Sequence, residues 1–337
     1  MRAVVLERNR VVGRRIARHV AAVGGSALVI EDPAQLAATV ASAASGAPGA
    51  DATLVCADVF DGDVVAALLA HRPHLRAVLW TAEPLRRSLR HLAECPGIGH
   101  VLGRKDFESV PRPWELGMVL RRLASSASSA TASSASPASP ASSASGAAAA
   151  PPLAAFLDWG HAAFEVAVTT PAARDAAVER VQAAVAELQV PRRVAEIAGE
   201  LTHELLMNAL YDAPVDEQGR PRYAHDRKTA IELPAADAAL LRFGSDGTRV
   251  AIQVRDRFGG LRRRQVLEGL ARGLAGGELD RSGGGAGLGL TVCHHSSSAL
   301  FFDLARDRFT QVTATLDLDL NLRELKGQAR SLHVWEA

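Results

Sequence analysis

Glu204 and Asn208 stand four residues apart in a run, residues 192 to 213, built almost entirely from good helix formers. Pro191 precedes the first turn, where a missing N–H costs nothing, and the run reads as a single helix. At about 100° per residue, Val194, Ile197, Leu201 and Leu205 form one apolar stripe, and Glu204 and Asn208 fall inside it. A carboxylate and an amide therefore point toward the core. Leaving the amide unpaired there would cost roughly 1 to 3 kcal/mol, and the charge more. A ligand carrying a metal ion would meet both groups; an arginine for Glu204 and backbone for Asn208 would also do so.

Residues farther along the chain favour the ligand. Val250, Ile252 and Val254 alternate with polar neighbours in a strand that ends at Asp256-Arg-Phe-Gly-Gly260. A helical run, 262 to 274, leads to the glycine-rich stretch Gly283-Gly-Gly-Ala-Gly-Leu-Gly-Leu290. Walker A chemistry needs Gly-Lys-Ser/Thr, and none of Lys105, Lys228 and Lys326 supplies it. The dinucleotide spacing G-x-G-x-x-G is absent too, since residues 288, 290 and 292 are not glycine. A plain loop or a phosphate cradle of another kind remains.

At 337 residues the chain is long enough for two domains, and its net charge of +1 argues for neither a nucleic-acid nor a membrane surface. Cys56, Cys95 and Cys293 fit no metal or disulfide spacing, and no apolar run reaches membrane-spanning length. A reducing, cytoplasmic setting is expected. Of 38 basic residues only three are lysines, so each lysine is either a candidate for a place that needs a compact ammonium or a chance survivor.

Stepping along residues 1 to 123, strands near 3–6, 27–30, 53–57, 77–80 and 100–102 alternate with helices near 10–23, 33–44, 63–71, 84–94 and 113–123. Such alternation implies an α/β domain, a flavodoxin-like (βα)5 unit with a parallel sheet. Its sites lie at the strand carboxyl ends, which carry Glu7, Asp58, Thr81 and Lys105. Residues 124 to 152, nearly all Ala, Ser and Pro, read as a flexible tether. In 153 to 337 a helix near 171–189 precedes the Glu204 helix. Strand-like runs follow at 228–233, 238–243 and 249–255, then the glycine stretch and its helix. Two strands close the chain, the second with Val312, Ala314, Leu316, Leu318 and Leu320 in alternation.

Taken together and in this order, the motifs of residues 170 to 320 resemble the GHKL ATPase superfamily, which includes gyrase, histidine kinases and mismatch-repair proteins. The resemblance implies an α+β Bergerat-fold sandwich that binds ATP with Mg²⁺. Glu204 would be the general base and Asn208 the metal ligand; Asp256 would read the adenine amino group, with Gly260 in the turn behind it. Gly285, Gly287 and Gly289 would cradle phosphates, and Thr310 would support the adenine side. Asp212 stands where a basic residue is usual, Phe258 where a glycine is, and Phe309 replaces the glycine before Thr310.

Residues 1 to 123 resemble the receiver domain of response regulators, with Asp58, Thr81 and Lys105 matching by position. The acidic pair after the first strand has become Glu7 and Arg8, and Asp106 stands where Pro is usual. In the family the Asp58 position accepts a phosphoryl group; the departures favour a pseudo-receiver used for docking or dimerisation over a working phosphoacceptor or an ordinary flavodoxin-like domain. The single helix leading into the Glu204 helix resembles the anti-sigma-factor serine kinases. His203 reads as a helix-surface residue, so no phosphoacceptor histidine precedes the ATPase motifs. The expected function is phosphorylation of a partner protein, such as a sigma factor, an anti-anti-sigma protein or a two-component protein. The alternatives are a non-catalytic ATP-dependent switch and a phosphorelay partner of a separate histidine-bearing protein.

Overall fold

The structure, a computed structural model, describes residues 1–44, 53–133, 150–216, 218–275, 286–319, 324 and 327–336. The chain divides into two units, Met1–Ala149 and Ala150–Ala337.

In the first unit, β1 (Arg2–Leu6), β2 (Ser26–Ile30), β3 (Thr53–Asp58), β4 (Arg76–Thr81) and β5 (Ile98–Gly103) run parallel in the order β2-β1-β3-β4-β5. Between them lie α1 (Arg10–Ala22), α2 (Leu36–Ala44), α3 (Gly62–His71) and α4 (Leu89–Glu94), and α5 (Pro113–Ser133) follows β5. The order reverses between β1 and β3, the place where open α/β sheets put their sites. Asn9 starts α1 by accepting from the N–H groups of Val11 and Val12 at 3.0 and 3.3 Å. Gly13 lets α1 lie against β2, since a Cβ there would stand 2.7 Å from Val29 Cγ1.

Helix α5 runs ten residues beyond the expected end at 123, so the Ala/Ser stretch is not a tether from its first residue. Alanine is the best helix former, and the Ser125 and Ser126 hydroxyls fold back onto the carbonyls of Arg121 and Arg122 at 3.0 Å each, which removes the competition serine usually offers.

In the second unit, β6 (Ala162–Val168), β7 (Ala239–Ser245), β8 (Arg249–Asp256), β10 (Phe309–Asp317) and β9 (Ala299–Ala305) form an antiparallel sheet. β11 (Ser331–Glu336) adds to β9 in parallel, giving the order β11-β9-β10-β8-β7-β6. One face takes α6 (Pro171–Ala186), α7 (Arg192–Met207), α8 (Arg263–Ala275) and α9 (Ala286–Ser296), with α7 packed on β8 and β10 and α9 on α7. Val312, Ala314 and Leu316 face these helices as the alternation predicts, while Leu318 lies past the end of β10 and Leu320 lies outside the described residues.

The opposite face is not solvent. Gln311, Thr313 and Thr315 are buried. The segment Pro151–Leu157 covers this side, with Phe156 packed edge-on against Phe301 at 4.9 Å. Pro151 O accepts from Gln311 Nε2 at 3.0 Å and from Gln253 Nε2 at 3.3 Å.

Two expectations are corrected. Residues 228–233 form no strand: their polar groups go elsewhere, Thr229 O to the Tyr211 hydroxyl at 3.0 Å and Leu233 N to Thr169 O at 2.9 Å. Nor is 192–213 one α-helix, for α7 ends at Met207 and a π turn occupies Asn208–Asp212. Among the described residues, no helix is long and apolar enough to cross a membrane.

Candidate functional site

The π turn is where the second unit's polar groups gather. Asn208 still donates its N–H into α7, to Glu204 O, but its own carbonyl accepts from Ala213 N at 2.9 Å, five residues on. Such widened turns are frequent at functional sites. The Asn208 side-chain oxygen Oδ1 is buried and has no hydrogen-bond partner. Glu204, half-buried one turn earlier, makes no ion pair among the described residues. Gly289 of α9 closes the other side: a Cβ on it would stand 2.5 Å from Glu204 Oε2 and 3.5 Å from Asn208 Oδ1. Two oxygen donors and a glycine backbone thus face one space. An orphaned amide oxygen beside a carboxylate fits a hard divalent cation, which takes oxygen ligands.

Asp212 closes the turn and is already engaged by Arg227, which donates through Nε at 3.2 Å and more closely through Nη2. Burial pushes its carboxyl pKa up, Arg227 pulls it down and Glu204 adds to the rise. Arg227 lies one residue before the run 228–233 expected to be a strand, and sequence reasoning gave it no role. It brings a cation to the place where the resemblance expected one on α7 itself.

Asp256, at the end of β8, is buried beside Thr310, its partner across the β8–β10 ladder. Its Oδ1 accepts from Phe258 N at 2.8 Å and Gly259 N at 3.1 Å, with Thr310 N more distant at 3.4 Å. Burial pushes its pKa up against those N–H groups. Gly259 holds this turn at φ +60°, where a Cβ would also strike Ala305 O at 2.3 Å. Gly260 follows with open space on its Cβ side, Ala213 O being nearest at 3.9 Å. The Thr310 hydroxyl is buried against the Asp256 carboxylate and, with the three N–H groups, favours its charged form. Gly285 lies outside the described residues, and Gly287 falls in the first turn of α9.

In the first unit, Glu7 and Asp58 are brought together at the β1/β3 switch point, but a residue other than Lys105 meets them. Arg104 is buried and donates from Nη1 to Glu7 Oε2 at 3.1 Å and from Nη2 to Asp58 Oδ2 at 2.6 Å. Glu7 also accepts from Trp80 Nε1 and from Asn9 N at 3.0 Å each. Burial pushes Asp58 up in pKa, while the Phe60 N–H and Arg104 pull it down. Thr81 is buried and its Oγ1 accepts from Glu83 N at 2.9 Å. Lys105 is exposed, and Arg8 turns outward to Asp61 at 2.7 Å. The bridging cation is one residue earlier than position matching suggests.

No protein-family model matches this chain, and no curated protein matches it.

Proposed function

We propose that the second unit binds ATP with Mg²⁺ and transfers the γ-phosphoryl group to a partner protein. The observation that carries this is the convergence of Gly289 on Glu204 and the unpartnered Asn208 Oδ1. Asn208 holds the cation, which when bound screens charge on the phosphates. Asp256 receives the adenine amino group on its remaining oxygen, and the start of α9 offers its first-turn N–H groups to the phosphates. Glu204 takes the proton from the attacking hydroxyl, on a partner side chain or on water, as the bond between the γ-phosphorus and the bridging oxygen breaks and ADP leaves.

The partner is of the kind an anti-sigma kinase acts on: a sigma factor, an anti-anti-sigma protein or a two-component protein. The first unit serves as a docking or homodimerising module, because Arg104 already fills the space between Glu7 and Asp58 with positive charge. The test is calorimetric titration of the full chain with ATP, with and without Mg²⁺, followed by incubation with labelled ATP and cell extract. Mg-dependent binding and a labelled protein are expected; no binding at millimolar ATP would end this reading.

A further inference from the structure

On the face of the second unit's sheet away from α7 lies a cleft of about 610 Å³, lined by Pro151–Ala154, His161, Glu165, Arg242, Arg255 and Gln311. Its cations differ in their commitments. Arg242 donates through Nε to Glu165 at 2.6 Å and through Nη1 to Gln253 Oε1 at 3.3 Å, so its charge is met. His161 Nδ1 lies 3.2 Å from Asp158 O. Arg255 has no such partner: its guanidinium lies 3.9 Å over the Phe309 ring and, among the described residues, makes neither a hydrogen bond nor an ion pair.

A half-buried guanidinium normally meets a carboxylate or a carbonyl, because its five donors lose water on burial. Here burial, Arg242 and Arg308 all disfavour the charge, and only Asp256 and Asp303 offset them at longer range. The aromatic face beneath attracts a cation but satisfies none of its N–H groups. The site is thus built from one side with its counter-charge missing, and the planar donor fork suits a carboxylate or phosphate.

We propose that this cleft is an anion-binding site in which Arg255 meets a carboxylate or phosphate group of a small ligand, with Gln311 beside it on the neighbouring strand. Arg255 pairs with Gln311 across the ladder as Asp256 pairs with Thr310, so the two pairs sit back to back on opposite faces. The site is independent of the nucleotide reading and stands or falls without it.

The experiment titrates the ¹⁵N-labelled full chain, free of nucleotide, with acetate and separately with inorganic phosphate at matched ionic strength, following the arginine Nε–Hε signals. Arg255 is expected to respond to at least one anion, and which one responds identifies the group. Arg255→Gln should weaken that binding at least ~10-fold, the scale of one charge-assisted contact, while Arg255→Lys keeps part of it. Circular dichroism confirms that both variants fold. No response of Arg255 to either anion, or equal affinity in Arg255→Gln, would overturn the proposal; a phosphate bound only at the Glu204 site gives that second result.

Discussion

Gly289 of α9 lies so close to Glu204 of α7 that a Cβ placed on it would stand 2.5 Å from the carboxylate oxygen Oε2. The contact is with the flexible end of a side chain, so the carboxylate can swing away. In Gly289→Ala the gain in helix propensity, about 1 kcal/mol, opposes the clash, and the melting temperature should change little. The displaced Glu204 should cost at least ~10-fold in ATP turnover, against the ~10² to 10⁴ a general base contributes. Wild-type turnover in this variant would show that Glu204 is not the base.

Base and ligand separate by mutation. Asn208→Ala should weaken Mg-ATP binding by about 1 to 3 kcal/mol, the loss of a strong polar contact. Glu204→Ala should bind ATP as wild type does and lose turnover, since a base acts in the transition state. Affinity and turnover measured on both variants decide it; full turnover in Glu204→Ala would remove Glu204 from the base role, and a wild-type chain that binds ATP without turnover would return the second unit to a non-catalytic switch.

Asp256→Asn should trade function for stability. Burial outweighs the N–H bonds on Oδ1 and holds the carboxyl pKa above its unfolded value. The fold therefore favours the protonated acid, a contribution complete below the unfolded pKa and lost as pH rises through the folded one. At pH about 7 the amide variant should melt higher than wild type, with the difference closing on acidification toward about 4. ATP affinity should fall about 10-fold or more, as one charged hydrogen bond is lost. A pH series of melting curves beside one binding isotherm tests both halves.

Removing Arg104 should leave Glu7 and Asp58 buried and facing without a counter-ion. Arg104→Ala is expected to lose about 3 to 5 kcal/mol, the usual cost of breaking a buried pair from one side. Millimolar Mg²⁺ should restore part of that stability in the variant and none in wild type. Acetyl phosphate with Mg²⁺ should leave Asp58 of the wild-type chain unmodified by intact mass. Stoichiometric modification, absent in Asp58→Asn, would mean that Arg104 does not close the site.

Legibility in the sequence followed the strength of local pattern. The five strands of the first unit and helices α1, α3, α6 and α8 stand near their expected positions because apolar periodicity alone marks them. Strands β6 and β11 escaped notice: Ala162–Val168 is an edge strand with four of its seven residues exposed, and Ser331–Glu336 is short and mixed. The π turn has no sequence signature, since Asn208–Asp212 reads as good helix. Arg104 and Arg227 were invisible as site residues for another reason. Each is an arginine among many, and only the fold brings one to Glu7 and Asp58 and the other to Asp212.

Pro151 fell inside the expected tether, yet its carbonyl is the acceptor for two buried amides, Gln253 Nε2 and Gln311 Nε2, on the central strands β8 and β10. A chain cut at residue 153 would strand Gln311 Nε2, at roughly 1 to 3 kcal/mol, and leave Gln253 Nε2 only its bond to Thr313 Oγ1 at 3.0 Å. The second unit's own N-terminal limit is therefore set by a carbonyl rather than by an element of secondary structure. Fragments beginning at or before residue 150 should resist protease where shorter ones fray from the reverse face of the sheet.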